Sequence, residues 1–389
     1  MAGSSTDMIG FFCSSPSWGG LEINVLRLAR WLEARRIRVT LLVRENTPLH
    51  REALLAGCSV EIIGPHRKYL DLSSALTLRS TLRRLGISTV FVFHRNDMDV
   101  MAWVKVFSGP SLTLVFQQHM QLGVSRRDPV HAFRYARYDA WISPLEGLRN
   151  EVLAKTRIRP EKIHVIPLGI ETNRLDGGVP GRGEARNYFG IPGGGTLFGI
   201  LGRIETGKGQ AFLVKALKRL REKGHDARLL IVGDVTIEPG QRPGTNTYDE
   251  ELRSLVRSLG LSGVVWLHPF AEDTRLFFRA IDACVMATTS ETYGMVTLEA
   301  MASGVPVIGT DSGGTTEILG GGKLGMLFRP GDEGDFVRCA ETVIRGGYPV
   351  EMIAAARARV TEHFSHEKEC AMIGDLLRRL RPGGTNSGA

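Results

Sequence analysis

Ser290-Glu291-Thr292-Tyr293-Gly294-Met295-Val296-Thr297-Leu298-Glu299-Ala300-Met301-Ala302-Ser303-Gly304-Val305-Pro306-Val307-Ile308 sets two carboxylates eight positions apart with a glycine between them. The apolar run 283–286 leads into it and reads as a strand. Val296, Leu298, Ala300 and Met301 follow a helical pattern, closed by Gly304 with Pro306 just beyond. Residues 305–308 form a further strand. Strand, loop, helix and strand in that order make a βαβ unit, and such units build parallel sheets. Glu291 then lies in the loop at the helix N-terminus, and Glu299 about one turn inside the helix. The first backbone N–H groups there, at Gly294, Met295 and Val296, lack helical partners and suit a phosphate. A carboxylate accepts two hydroxyl hydrogen bonds, which suits the diol of a ribose or a sugar. One corner could therefore hold the phosphate, ribose and sugar of a nucleotide-sugar.

The same alternation extends in both directions. Upstream, strands are expected at 9–13, 39–43, 60–63, 90–93, 112–116 and 163–167, with helices at 21–34 and 72–85. In helix 21–34, Leu21, Val25, Leu28 and Leu32 share one face. A second series runs through strands at 196–201, 228–232 and 264–267, with helices at 210–223, 249–259 and 274–280. The chain thus reads as α/β, with two doubly wound Rossmann-like domains. The first spans 1–170 and the second 196–350, joined by a Gly- and Pro-rich linker at 171–195. Residues 351–380 form a helical tail, and 381–389 read as disordered.

Two further segments suit phosphate. Ser15-Pro16-Ser17-Trp18-Gly19-Gly20 lies between the first strand and the first helix, where Gly19 and Gly20 let backbone approach an anion. Gly202-Arg203-Ile204-Glu205-Thr206-Gly207-Lys208-Gly209 follows the first strand of the second domain. There Arg203 offers a planar fork and Lys208 a mobile point charge to a diphosphate. The spacing nearly matches a P-loop, but Gly209 stands where that motif needs a magnesium-binding Ser or Thr. Gly320-Gly321-Gly322-Lys323-Leu324-Gly325 satisfies G-x-G-x-x-G literally, yet it follows a helix and precedes a strand. The dinucleotide fingerprint needs the reverse order, so this run reads as a turn.

The net charge of +8 is uneven. Residues 1–190 carry 26 Lys/Arg and 17 Asp/Glu, or +9; the remainder carries 23 and 24, or −1. Arg79, Arg83 and Arg84 cluster, as do Arg126, Arg127, Arg134 and Arg137. A basic first half suggests an anionic acceptor or an anionic membrane surface. No zinc finger or RNA-binding motif points to nucleic acid. The cysteines number five, with no C-x-x-C, which fits a reducing cytoplasm. No apolar run is long enough to span a bilayer, and 1–7 has no basic leader pattern. No His or carboxylate grouping is read as a metal site, so no metal is expected.

The run from Glu291 to Glu299 resembles the E-x7-E signature of the family-4 retaining glycosyltransferases. Gly304-Val305-Pro306-Val307-Ile308 and Gly313-Gly314-Thr315-Thr316-Glu317-Ile318 are similar to that family as well. So is the G-R-x-x-x-K-G pattern of Gly202, Arg203, Lys208 and Gly209, although Gly207 stands where the family often has an acid. The resemblance implies the GT-B architecture, with the active site in the cleft between the domains and a tail that crosses back to the first. It implies that Arg203 and Lys208 bind the donor phosphates, together with Gly19, Gly20, Gly294, Met295 and Val296. Glu299 would hold the ribose, Pro269 and Phe270 the base, and Glu291 the transferred sugar. His119, at the C-terminal edge of the strand ending in Val115-Phe116-Gln117-Gln118, resembles the family's active-site histidine. The expectation is a metal-independent hexosyltransferase. Its donor would be UDP- or GDP-linked, its acceptor a cell-envelope lipid or polysaccharide, and its place the cytoplasm, peripheral on the membrane. The rival readings are a nucleotide-sugar-binding protein without turnover and a P-loop-like NTPase.

Overall fold

Parallel pairing joins every strand in the computed structural model, which describes residues 8–172, 178, 180–235, 247–270 and 273–381. The chain divides into two units. Unit 1 takes residues 1–169 and 366–389, and unit 2 takes 170–365. The strands of unit 1 are β1 (Met8–Cys13), β2 (Val39–Arg44), β3 (Ser59–Ile63), β4 (Ile87–Val92), β5 (Thr113–Gln117), β6 (Ala140–Ser143) and β7 (Ile163–Val165). They pair in the order β3-β2-β1-β4-β5-β6-β7. Those of unit 2 are β8 (Thr196–Leu201), β9 (Ala227–Val232), β10 (Val265–His268), β11 (Ala283–Met286), β12 (Val307–Thr310) and β13 (Met326–Phe328). They pair in the order β10-β9-β8-β11-β12-β13. Both sheets are doubly wound and Rossmann-like.

Helices connect the strands. In unit 1 they are α1 (Gly20–Ala34), α2 (Pro48–Leu55), α3 (Leu72–Leu85), α4 (Met98–Ser108), α5 (Pro129–Ala136) and α6 (Glu146–Lys155). Unit 2 holds α7 (Arg182–Tyr188), α8 (Gln210–Glu222), α9 (Thr247–Ser258), α10 (Thr274–Ala280) and α11 (Met295–Ala302). It ends with α12 (Gly313–Ile318), α13 (Glu333–Ile344) and α14 (Val350–His363), and α15 (His366–Leu380) belongs to unit 1. The expected linker at 171–195 contains α7, which lies inside unit 2. Arg186 on α7 donates to Ala280 O at 3.0 Å and to Asp282 Oδ2 at 2.8 Å. The expected disordered tail lies almost wholly outside the described residues.

Alternation along each strand divides the core of unit 1 in two. Phe11, Leu41 and Phe91 point to the layer that holds α1 and α15. Phe12, Leu42 and Val92 point to the layer that holds α3 and α4. A parallel sheet covered on both faces needs apolar residues at successive positions, which is why its strands read as unbroken apolar runs. Each Leu or Phe so buried is worth roughly 1.5–3 kcal/mol. All five cysteines are buried and free of disulfides.

Two buried acids tie loops to these layers. Asp71 caps α3, accepting N–H bonds from Arg67 at 2.8 Å and Ser74 at 3.1 Å, and these hold its carboxyl down at about 2. Glu369 of α15 accepts the Gly169 N–H at 2.7 Å and Gln117 Nε2 at 3.3 Å. Burial pushes Glu369 up to about 7, against the lowering pull of those two bonds. The oxygen of the Gln117 amide is buried without a hydrogen-bond partner.

A carboxyl raised in the folded state contributes stability that is complete below its unfolded value. That contribution is lost as pH rises through the folded value. Stability should therefore fall between about pH 4.5 and pH 7 by something on the order of 3 kcal/mol from this group alone. Glu369→Gln keeps a neutral partner for Gly169 and should flatten that slope in thermal unfolding followed against pH. An unchanged slope in the variant would assign the pH dependence to other groups.

Candidate functional site

Strand order reverses between β8 and β11 in unit 2, and the loops after these two strands emerge side by side. Open α/β sheets bind ligands at this edge. Gly209 closes the first loop and caps α8 with φ at +87°. A Cβ there would stand 2.4 Å from the Ala287 carbonyl oxygen in the second loop. The hydroxyl-bearing residue of a true P-loop would not fit at that point. This contact brings Lys208 Nζ to 3.5 Å from Glu291 Oε2. Arg203 pairs with Glu205 at 3.1 Å and is more than half exposed, while Gln210 Nε2 donates to its carbonyl at 2.8 Å.

The Glu291 loop is clamped from the other side. The Gly314 N–H donates to Glu291 O at 2.9 Å. Gly313 has φ at +56°, and a Cβ on it would lie 2.3 Å from that same oxygen. The Ser312 hydroxyl donates to Thr289 O at 3.1 Å and the Thr310 hydroxyl to Thr288 O at 2.6 Å. The Gly-Gly-Thr-Thr-Glu segment therefore works as a backbone clamp on the loop that carries Glu291. Gly294 then caps α11 with no side-chain hydrogen bond, leaving the N–H groups of Met295 and Val296 at an open helix start. Glu299 lies half-buried on α11 near Cys284, whose thiol is pushed up by burial first and by this carboxylate second.

At the end of β10, His268 packs against Tyr188 and Phe189 with ring centroids 5.5 and 5.0 Å away. The Gly233 N–H donates to His268 O at 3.0 Å. The Phe270 N–H donates to Asp234 Oδ1 at 3.1 Å, and His268 Nδ1 lies 2.7 Å from Pro269 O. These backbone groups of Pro269 and Phe270 already have partners, while the Phe270 ring is about half exposed.

Gly19, Gly20 and His119 belong to unit 1. Gly19 caps α1 in an extended conformation with no side-chain bond, and Gly20 is the first helical residue. His119 follows β5 and packs against Phe93 at 5.9 Å between ring centroids. Its Nε2 is buried without a partner, and desolvation pushes its pKa down to about 4, so the ring stays neutral near pH 7. It borders a mostly apolar cavity with Phe93, His94, Met98 and Trp141.

A further group carried no sequence signal beyond an acid three places after His94. Asp97 is fully buried where the strand order of unit 1 reverses, between β1 and β4. It accepts the Ser14 N–H at 2.9 Å, the Ser14 hydroxyl, and His66 Nε2 at 3.1 Å, with His94 Nδ1 3.7 Å away. Burial would raise its carboxyl, but the hydrogen bond from His66, the nearby His94 ring and the bonds from Ser14 outweigh that and hold it below its ordinary value. One carboxylate thus ties together the loops after β1, β3 and β4. Among the described residues, no three His, Cys, Asp or Glu side chains are grouped to hold a metal ion.

The structure thus places Arg203, Lys208, Glu291, Glu299 and the start of α11 along one edge of unit 2, with Pro269 and Phe270 at the end of β10. Two family models match the chain. Residues 18–174 match Glycosyltransferase Family 4, and residues 195–345 match Glycosyl transferases group 1. Among curated relatives, a D-inositol 3-phosphate glycosyltransferase from Stackebrandtia nassauensis is 29% identical over 257 residues, covering 63% of this chain and 56% of the relative. One of the same name from Corynebacterium jeikeium is 28% identical, over 94% of this chain and 93% of the relative. The chain spans about half the length of the first curated relatives it matches. Among solved structures, a glycosyltransferase from Rickettsia africae aligns with TM-score 0.84 at 16% identity, covering 97% of this chain and 99% of that one. HepE from Anabaena, solved in complex with UDP, aligns with TM-score 0.81 at 20% identity, covering 95% and 99%. The two models take in most of both units, and the chain belongs to the family-4 glycosyltransferases of GT-B fold.

Proposed function

We propose that this chain transfers a hexosyl group from a UDP- or GDP-linked sugar to an acceptor with an anionic head group, with retention and without a metal ion. The observation that carries the reading is the Lys208–Glu291 contact of 3.5 Å, beside the open N-terminus of α11. A cation and free amides suit the diphosphate, and the carboxylate beside them suits the hydroxyls of the attached sugar. Departure of a nucleoside diphosphate builds charge on the leaving oxygens. Arg203, Lys208 and the α11 amides would stabilise it, a single such fixed donor being worth about 3–4 kcal/mol. Glu291 positions the sugar, and the leaving phosphate takes the acceptor proton as attack comes from the same face. Glu299 binds the ribose diol, and the exposed ring of Phe270 lies where the base would sit. Gly19 and Gly20, at the start of α1, suit an anion in the same way. His119, neutral near pH 7, suits a hydrogen bond to an uncharged sugar hydroxyl.

The acceptor follows from charge. The +9 of residues 1–190 favours an anionic one, and a cell-envelope lipid or polysaccharide fits a peripheral enzyme on the inner membrane face. The name shared by the curated relatives supports a second form of the same chemistry, a soluble inositol phosphate. Among the described residues, no helix is long and apolar enough to cross a membrane.

A thermal-shift panel of nucleoside diphosphates and nucleotide-sugars tests the donor. The right one, at about 100 times its dissociation constant, should add roughly 2.7 kcal/mol. Arg203→Ala or Lys208→Ala should weaken that ligand about tenfold or more, since bonds to charged groups are worth roughly 1.5–3 kcal/mol. Unchanged affinity and rate in both variants would remove the phosphate assignment.

The two glutamates should separate in calorimetry. Glu299→Ala lowers affinity for the nucleotide alone. Glu291→Ala spares the nucleotide but lowers affinity for the intact donor and the rate of transfer. The reverse pattern would exchange their roles. Activity should also survive EDTA, because cations and helix amides, not a metal, balance the diphosphate. Loss in chelator with recovery in Mg²⁺ or Mn²⁺ would overturn that part.

A further inference from the structure

The first half of the chain owes its charge to residues with different fates. Arg134 is buried, with Nη1 at 3.1–3.2 Å from both oxygens of Asp99, and Arg84 is paired with Glu61 at 2.5 Å. Lys68, Arg83 and Arg127 are exposed. Arg83 follows Leu72 and Leu76 on α3 at helical spacing, eleven and seven residues on, and unit 1 also exposes apolar side chains that the core does not use.

Four elements of unit 1 share this face. In the loop before α3, Leu70 is 71% exposed and Tyr69 48% exposed. The loop is fixed: Asp71 holds the Arg67 N–H, and Trp103 Nε1 donates to Tyr69 O at 3.1 Å. Tyr69 itself has φ at +73°, a left-handed conformation that costs a bulky residue on the order of 1–3 kcal/mol. The fold spends strain to hold an aromatic and a leucine outward. Leu72 and Leu76, one turn apart on α3, are also exposed. Trp103 of α4 packs against Phe133 of α5 at 5.1 Å, and Phe133, Val130 and Val106 are exposed beside it. Arg137 lies over the Phe133 ring at 4.5 Å, and Lys68 over the Tyr69 ring at 5.2 Å. The sequence of α3 contains no acid, nor does that of α5, and Asp99 of α4 is consumed by Arg134.

We propose that this face, built on the 67–72 loop, α3, α4 and α5, docks the protein on an anionic lipid bilayer. Exposed leucine, valine and aromatic side chains enter the boundary between head groups and acyl chains, and the exposed cations meet lipid phosphates. The excess of exposed cations disfavours a second copy of this chain: Asp71 is buried, Asp99 is paired with Arg134, and Asp128, which caps α5, is the exposed acid at these elements. A two-fold dimer through this face would bring two basic surfaces together. Nucleic acid would leave the aliphatic side chains without a partner. The purpose of such docking rests on the proposed transfer to a bilayer-borne acceptor, while its physical basis does not.

Sedimentation with vesicles of phosphatidylcholine, with and without phosphatidylglycerol, tests it. The protein should partition to the anionic vesicles only, and less so as salt rises, since screening acts within about 8 Å at physiological ionic strength. Lys68→Ala and Arg83→Ala should each lower the partition coefficient about fivefold. Leu72→Glu with Leu76→Glu should abolish it. Arg257→Ala, an equal loss of charge on exposed α9 of unit 2, should change it little. All these variants should keep wild-type affinity for the nucleoside diphosphate. Equal partition to both lipids, or an effect of Arg257→Ala as large as that of Lys68→Ala, would overturn the proposal. So would a dimer in ultracentrifugation that the Leu72 and Leu76 changes dissolve. Vesicle binding without nucleotide binding would leave this face standing and defeat the transferase reading instead.

Discussion

Right-handed crossover between parallel strands is the constraint from which the candidate site follows. A strand that twists one way and feeds a right-handed helix returns parallel to itself on a fixed side. Winding outward from β1 in both directions, and again from β8, leaves a gap between loops at each reversal point. The same edge collects every loop that leaves a strand at its C-terminal end. Arg203, Lys208, Glu291 and the start of α11 meet for this reason, although Lys208 and Glu291 are 83 residues apart in sequence.

Meeting is not enough, because long side chains on slack loops hold no geometry. Here backbone contacts remove the slack. Ala287 O occupies the space that a side chain on Gly209 would need, and Glu291 O occupies the space beside Gly313 and accepts from Gly314. A glycine substitution at such points would act on the site through the backbone without touching a ligand. Unit 1 achieves the same end with a side chain. Asp97 draws Ser14, His66 and His94 to one carboxylate in the interior, where unscreened hydrogen bonds to a charge are strong.

Charge in unit 1 is divided between interior and surface. Arg134 and Asp99 neutralise each other beneath α4 and α5, while Lys68 and Arg137 lie over rings at the surface. A net charge therefore overstates the field at some positions and says nothing about which face carries it. The loop that carries Tyr69 and Leu70 is held by the Trp103 Nε1 bond to Tyr69 O and by the Arg67 N–H bond to Asp71.

The order of elements was written in the sequence. Apolar runs such as 196–201 and 283–286 and amphipathic segments such as 72–85 and 274–280 lie where the strands and helices form, because burial on both faces demands those patterns. The glycine spacing around Arg203, Lys208 and Glu291 was legible too, since helix starts and tight turns have local rules. Other elements were not. β6 has only four residues, all buried, and α4 is apolar on most of its surface, so neither shows a clear period. Asp97, Glu369 and the burial of Arg134 could not be read at all. Each depends on partners far away in sequence: Ser14 for Asp97, Gly169 for Glu369 and Asp99 for Arg134. Local sequence states which residue can adopt a backbone shape; only the packed chain decides which charges lose water and which face keeps it.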